Sequence, residues 1–268
     1  MSHSPFEAWT ISLKNEKPAV LVTLLEVPED SGLSAGTRLF VSEEGLSLGN
    51  LGTAILNDLA AKAAGEKLKQ LHPRSETRSV QLSEGGEASV FIDVNIPPPE
   101  LVIFGAGHDA IPVAKFAGDL GIRTVVVDPR SAFATEENFP GMEIVLARSE
   151  ELRDKVHLGT RTFTVIMNHH LERDQACLRF SLESSAPYVG VLGPRKRRNW
   201  LLDGLQEEGI TFSEEQLSRM YSPIGLDIGA ETSEEVAISI LSEILAVRNG
   251  HSGEFLRKKG RIHQPVGE

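Results

Sequence analysis

"LVIFGAGHDA", residues Leu101 to Ala110, runs four apolar residues into two glycines, the pattern of a strand that turns directly into a helix. Gly105, Gly107 and Ala110 spell G-x-G-x-x-A. In such a loop the first glycine makes the tight turn, the second lets backbone approach a phosphate, and the small third residue lets the helix pack on the strand. A helix from about Asp109 to Leu120 would aim free N–H groups and a partial positive charge at the anion. Asp128 ends a second apolar strand, "TVVVD", at the spacing of roughly 20 residues where a ribose hydroxyl is held in dinucleotide-binding folds. Two readings stay open: a phosphate or nucleotide site, or glycines that only make a turn. His108 inside the loop faces the ligand or merely opens the helix, and Arg130 meets a ribose phosphate or is solvated.

Outward from this loop the chain divides. From Leu101 onward fully apolar strands ("LVIF", "TVVV", "EIVL", "FTVIM", "YVGVL") alternate with helical stretches, as a parallel sheet covered on both faces requires. Upstream, "AVLVTLLEV", "TRLFVSEEGLSLG" and "ASVFIDVNI" read as strands with turns at Glu44-Gly45 and Glu84 to Gly86. Between them Ile55, Leu59 and Ala63 fall at helical spacing. The proline triplet Pro97 to Pro99 separates the halves. The fold class is therefore α/β: a smaller α+β domain over residues 1–96, a C-terminal Rossmann-like parallel sheet with helices on both faces over 97–250, and a tail over 251–268.

Composition limits the function classes. Of 268 residues 40% are hydrophobic and 24% charged, which suits a globular chain. No apolar run is long enough for a membrane helix, so a cytoplasmic protein without membrane contact is expected. A formal charge of −11 works against nucleic-acid binding. Any anion then needs a local basic site, and "RKRR" (195–198) and "RKKGR" (257–261) are the two basic clusters. With Cys177 as the single cysteine there is no intrachain disulfide and no multi-cysteine zinc site.

Further chemistry gathers at the ends of later strands. "NHHLERDQAC" places Asn168, His169 and His170 after the fourth strand. His170, Asp174 and Cys177 would share one helical face, either as a metal or nucleophile site or with Cys177 as a small apolar residue. His169 and Asp174 are candidates for the cleft. After the fifth strand, Arg195 stands in a first helical turn, where cations oppose the helix dipole; it contacts an anion or is simply solvated. In "SPIGLDIGAETSEE", Thr232 and Glu235 form a capping box, Ile238, Leu241, Ile244 and Leu245 form the apolar face of the last helix, and Asp227 and Glu231 either line the cleft or form a tight link.

Taken together, "LVIFGAGHDAIPVA", "VVVDPR", "NHHLERD", "GVLGPRKRR" and "SPIGLDIGAETSEEVAISILSEILAVRNG" resemble, in order and spacing, the xanthine dehydrogenase accessory family (XdhC/CoxI). The resemblance implies binding of the molybdenum cofactor, molybdopterin or its dinucleotide form. It also implies partnership with a cysteine desulfurase and delivery to a molybdenum hydroxylase such as xanthine or carbon monoxide dehydrogenase. On the matching positions Gly105, Gly107, His108, Asp128, His169, Asp174, Arg195, Asp227 and Glu231 become cofactor-binding residues; no catalytic residue and no metal ligand is assigned. The family's first domain usually carries a glycine-rich stretch ending in cysteine, and "GNLGTAIL" here has none. A homodimer is the expected assembly. The alternatives are an NAD(P)-dependent oxidoreductase with His169 or His170 as proton donor, and a nucleotide-sensing interaction protein.

Overall fold

Period-two alternation in "AVLVTLLE" turns Ala19 and Leu21 to one side and Val20, Val22 and Leu24 to the other, and all five are buried. This strand, β1 (Ala19–Glu26), is buried on both faces because a helix covers each. On one side α1 (Pro5–Lys14) packs Ala8 and Trp9 against Ala19, Leu21 and Phe40. On the other, α2 (Ala54–Lys69) packs Leu56, Ala60 and Ala64 against Val20, Val22 and Leu24. The strands β2 (Arg38–Ser42), β3 (Ser47–Gly49), β4 (Glu76–Gln81) and β5 (Glu87–Asn95) complete an antiparallel sheet in the order β3-β2-β1-β5-β4. The turn at Glu44-Gly45 forms as expected, with Gly45 N–H donating to the Ser42 carbonyl and Gly45 at φ +83°.

Three features depart from the sequence reading. The helix α1 is set by a capping box in "SPFE": Ser4 accepts from the Glu7 amide, and the Glu7 carboxylate accepts from the Ser4 amide. The strand β4 carries no apolar alternation, because its residues are mostly exposed and polar. The buried stripe of α2 is Leu56, Ala60, Ala63, Ala64 and Lys67, so Ile55 and Leu59 face outward, a rotation the sequence period does not fix. Lys67 is buried by pairing with Glu76 of β4 at 3.0 Å.

The computed structural model describes residues 4–15, 17–70, 73–82 and 85–258. By internal contacts the chain divides into two units, Met1–Pro97 and Pro98–Glu268. Glu84 of the second turn and residues 259–268, which include most of the "RKKGR" cluster, lie outside the described residues. Among the described residues no helix is long and apolar enough to cross a membrane.

In the second unit β6 (Glu100–Phe104), β7 (Arg123–Val127), β8 (Glu143–Val145), β9 (Thr162–Ile166), β10 (Tyr188–Val191) and β11 (Met220–Tyr221) form a parallel sheet in the order β11-β10-β9-β6-β7-β8. The chain starts in the middle at β6, winds outward to β8, returns beside β6 as β9 and winds out the other way. The order therefore reverses between β6 and β9. One face is covered by α3 (Ala110–Asp119) and α8 (Ser233–Arg248), over a core that includes Leu101, Ile103, Val126 and Ile240. The other is covered by α4 (Leu152–Lys155), α5 (Leu171–Glu183), α6 (Arg195–Glu207) and the short α7 (Glu214–Ser218), over Val102, Phe104, Ile166 and Leu178. The capping box of Thr232 and Glu235 opens α8. Its buried residues are Ala237, Ser239, Ile240, Leu241 and Ile244, and Ile238, expected on the apolar face, is exposed.

Candidate functional site

All six strands of the second unit run the same way, so the segments following them share one edge of the sheet. In open parallel sheets ligands bind in the crevice outside this carboxyl edge, where the strand order reverses. Here the crevice lies between the loop after β6 and the loop after β9.

The two glycines of the first loop do different work. Gly105 has φ +115°, and a Cβ there would stand 2.7 Å from the Met167 carbonyl oxygen and 2.9 Å from Asn168 Cα. It is glycine because the loop after β9 passes against it. Gly107 has no neighbour within 4 Å of its would-be Cβ, so nothing inside the protein demands glycine there. The amides of Gly107, His108 and Asp109 donate to no protein acceptor among the described residues, whereas Ala110 N–H already bonds the Gly107 carbonyl. Three unpaired donors at the start of α3, beside an open surface, form an anion cradle. Ala110 is fully buried, as close packing of helix on strand requires.

Asp128 departs from its expected role. Its side chain is fully buried and its oxygens are taken: Oδ2 accepts from Ala106 N–H (2.8 Å) and from Arg130 Nη2 (2.7 Å), and Oδ1 from Arg130 N–H (2.8 Å) and Nε (2.9 Å). Burial pushes this carboxyl up, but the hydrogen bonds from Arg130 and from the Ala106 and Arg130 amides outweigh it and hold it below its ordinary value. Asp128 braces the glycine loop instead of offering oxygens to a ribose. Arg130 is accordingly tied to Asp128, though its side chain stays 36% exposed; it also lies over the Phe133 ring at 4.4 Å.

Asp174 is corrected in the same way. It is 1% exposed and accepts from Asn168 N–H (3.2 Å), Asn168 Nδ2 (3.0 Å) and Arg197 Nε (3.1 Å), with Arg197 Nη2 closer still. It therefore fastens the loop after β9 to α6. Of the "RKRR" cluster it is Arg197, not Arg195, that turns inward; Arg195 is exposed at the first position of α6. Cys177 is buried, and burial, aided by the Asp174 charge, pushes its thiol far above the ordinary range. It is a small apolar residue, and no cluster of metal ligands exists among the described residues.

Asp109 gathers the remaining segments. Its Oδ1 accepts from Ser233 Oγ at the start of α8 (2.5 Å), and its Oδ2 lies 3.8 Å from His169 Nε2. His169 adopts φ +57°, a left-handed conformation uncommon outside glycine, and its exposed imidazole stands beside Asp109 at the start of α3. His108 is exposed in the same loop, and Asp227 and Glu231 are exposed in the segment leading to Ser233. That segment is stapled to α8: Ser239 Oγ donates to the Leu226 carbonyl (2.6 Å). Glu243 accepts from Gly225 N–H (2.9 Å) and Tyr188 OH (2.6 Å). Sequence reading missed Asp109, Arg197 and Ser233. Asp109 left a signal as an acid at a helix start and Arg197 lay inside the "RKRR" cluster without being singled out, whereas Ser233 left none.

A doubly wound parallel sheet whose strand order reverses beside a glycine-rich loop is a Rossmann-type fold. Residues 101–244 match the family model described as the XdhC Rossmann domain, and the chain belongs to the XdhC family. It is 34% identical over 161 residues to a protein of Bacillus subtilis described as a probable xanthine dehydrogenase subunit, covering 60% of this chain and 46% of that one. The chain thus spans less than half of that relative's length. It is 23% identical to the molybdenum cofactor insertion chaperone PaoD of Escherichia coli, covering 88% of this chain and 86% of that one. A crystal structure of a xanthine dehydrogenase from Bacillus halodurans shares the fold, with a TM-score of 0.51 and 22% identity over 98% of each chain.

Proposed function

We propose that this protein is a molybdenum-cofactor-binding accessory protein that holds the pyranopterin for sulfuration and for insertion into a xanthine dehydrogenase-type hydroxylase. The observation that carries the reading is the cradle of three unpaired amides beside the open face of Gly107, in a domain of the XdhC family. The kinship with PaoD supports the choice of ligand. The residues fit the phosphate end of such a cofactor. When bound, the cofactor supplies a molybdenum centre whose terminal ligand can be exchanged for sulfur by a desulfurase partner. What this chain contributes is grip: the 107–109 amides hold phosphate, His108 and His169 face it, and Arg195, Asp227 and Glu231 rim the crevice. Asp128 and Asp174 act behind them as braces. The buried Cys177 thiol does not compete for the metal, which leaves that end available to partners.

The test is ultrafiltration of the purified protein with molybdenum cofactor and, separately, with NAD(H) and NADP(H). Retention of the pterin with weak nicotinamide retention is the expected result. Tight nicotinamide binding without pterin binding would replace this reading with that of a dehydrogenase-like protein, although the capped Asp128 leaves no ribose acceptor at its usual place.

A further inference from the structure

A cavity of about 390 Å³ opens on the α5 side of the sheet, at the carboxyl ends of β6, β7, β8 and β9. We infer that this cavity is a nucleoside site, so that, granted the cofactor role proposed above, the chain takes a dinucleotide form of the pyranopterin in preference to one ending in a simple phosphate. The volume lies in the range of small-molecule pockets, and the lining mixes apolar residues with polar and charged ones, Arg148, Glu150, Asn168, Glu172 and Arg173 among them. Val127, Pro129, Ala147 and Leu152 offer flat apolar surface for a base, and Asn168 and Arg173 bring hydrogen-bonding groups to it.

Two observations tie the cavity to the glycine loop and to a polar ligand, and the cofactor role proposed above adds a reason. Its walls are the segments that hold that loop: Asn168 passes against Gly105, and Val127 and Pro129 flank the Asp128 that accepts from Ala106 N–H. A ligand with phosphate on the Gly107 amides therefore has the cavity directly beside it. Arg173, half-buried in the cavity wall, has no carboxylate within ion-pair distance among the described residues. Arg148, exposed at the rim of the same cavity, has none either, whereas Arg130, Arg153, Arg179 and Arg197 are paired. A guanidinium left unpaired in a partly buried wall suits a phosphate or a base carbonyl. Finally, a metal-bearing end that must be handed to a partner has to stay outside, which leaves the nucleoside end to enter.

The test is calorimetric titration of the intact protein, wild type and the Arg173→Ala and Ala147→Leu variants, with CMP, GMP, AMP and inorganic pyrophosphate. At least one mononucleotide should bind the wild type. Arg173→Ala should weaken it about ten- to a hundredfold, as loss of a charged hydrogen bond does. Ala147→Leu should fill the cavity and remove mononucleotide binding while pyrophosphate affinity is kept. If Ala147→Leu does not fold, Arg173→Ala, altered at a half-exposed position, carries the test alone. No mononucleotide binding, or equal binding to wild type and variants, overturns the inference. Mononucleotide binding of the expected kind without molybdenum cofactor binding would sink the proposed function and leave the nucleoside site standing. Equal wild-type affinity for the dinucleotide and phosphate forms of the cofactor would do the reverse.

Discussion

Replacing each loop glycine by alanine separates the one that shapes the fold from the one that meets the ligand. At Gly105 the new methyl would lie 2.7 Å and 2.8 Å from the Met167 carbonyl oxygen and carbon and 2.9 Å from Asn168 Cα. These are backbone atoms, and Met167 N–H is fixed to the Phe104 carbonyl at 2.8 Å, so they cannot swing aside. A φ of +115° adds strain of about 1 to 3 kcal/mol for an L-residue, and overpacking costs about as much again. Gly105→Ala should therefore lose about 2 to 6 kcal/mol. At about 2 to 4 °C per kcal/mol for a domain of this size, its melting temperature should fall by about 4 to 24 °C. Gly107→Ala meets open space without positive φ and should stay within about 1 kcal/mol of wild type. Differential scanning calorimetry of the two ligand-free variants decides the matter. A Gly105→Ala protein that melts with wild type, or a Gly107→Ala protein that falls alongside it, would refute the division of labour. Gly107→Val extends the test: it should fold and yet lose phosphate binding, because its side chain occupies the cradle.

The braces make further predictions. Arg197→Ala strands the buried Asp174 carboxylate and should cost about 3 to 5 kcal/mol in urea unfolding, whereas Arg195→Ala should leave stability unchanged and weaken anion binding with a flatter salt dependence. The Asp128 carboxyl is held below its unfolded value, so its contribution to stability is complete above about pH 4 and is lost as pH falls through the folded value. Asp128→Asn should flatten the acid limb of the stability curve, and an unchanged limb would remove Asp128 from the brace. Cys177 should resist iodoacetamide at pH 8 in the native protein and react once it is unfolded; native labelling would contradict its burial and raised pKa.

What the sequence disclosed depended on how local the governing physics is. The strands β6, β7, β9 and β10 are buried on both faces and so read as unbroken apolar runs, and G-x-G-x-x-A carries its own turn geometry. The strand β4 hides because it lies at a sheet edge, where Glu76 and Arg78 pair with each other in water. Spacing puts Asp128 and Asp174 after the right strands, but it does not say which cation folds back on them. For Asp128 the partner is two residues away, and for Asp174 it lies at the start of the next helix, Arg197. The outward turn of Ile55 and Ile238 likewise depends on what each helix packs against, which no window within the helix contains.

The winding of the parallel sheet also sets a timetable for synthesis. The strand β6 is laid down first in its sheet, but Leu101 and Ile103 on one of its faces share a core with Ile240 and Ile244 of α8, the last long helix. About 130 residues separate them, which at roughly 5 to 20 residues per second is an interval of about 7 to 25 s. Throughout that interval α3 can cover only part of this apolar face and the share of α8 stays open, so a ribosome paused before Ser233 presents a substrate for chaperones and proteases.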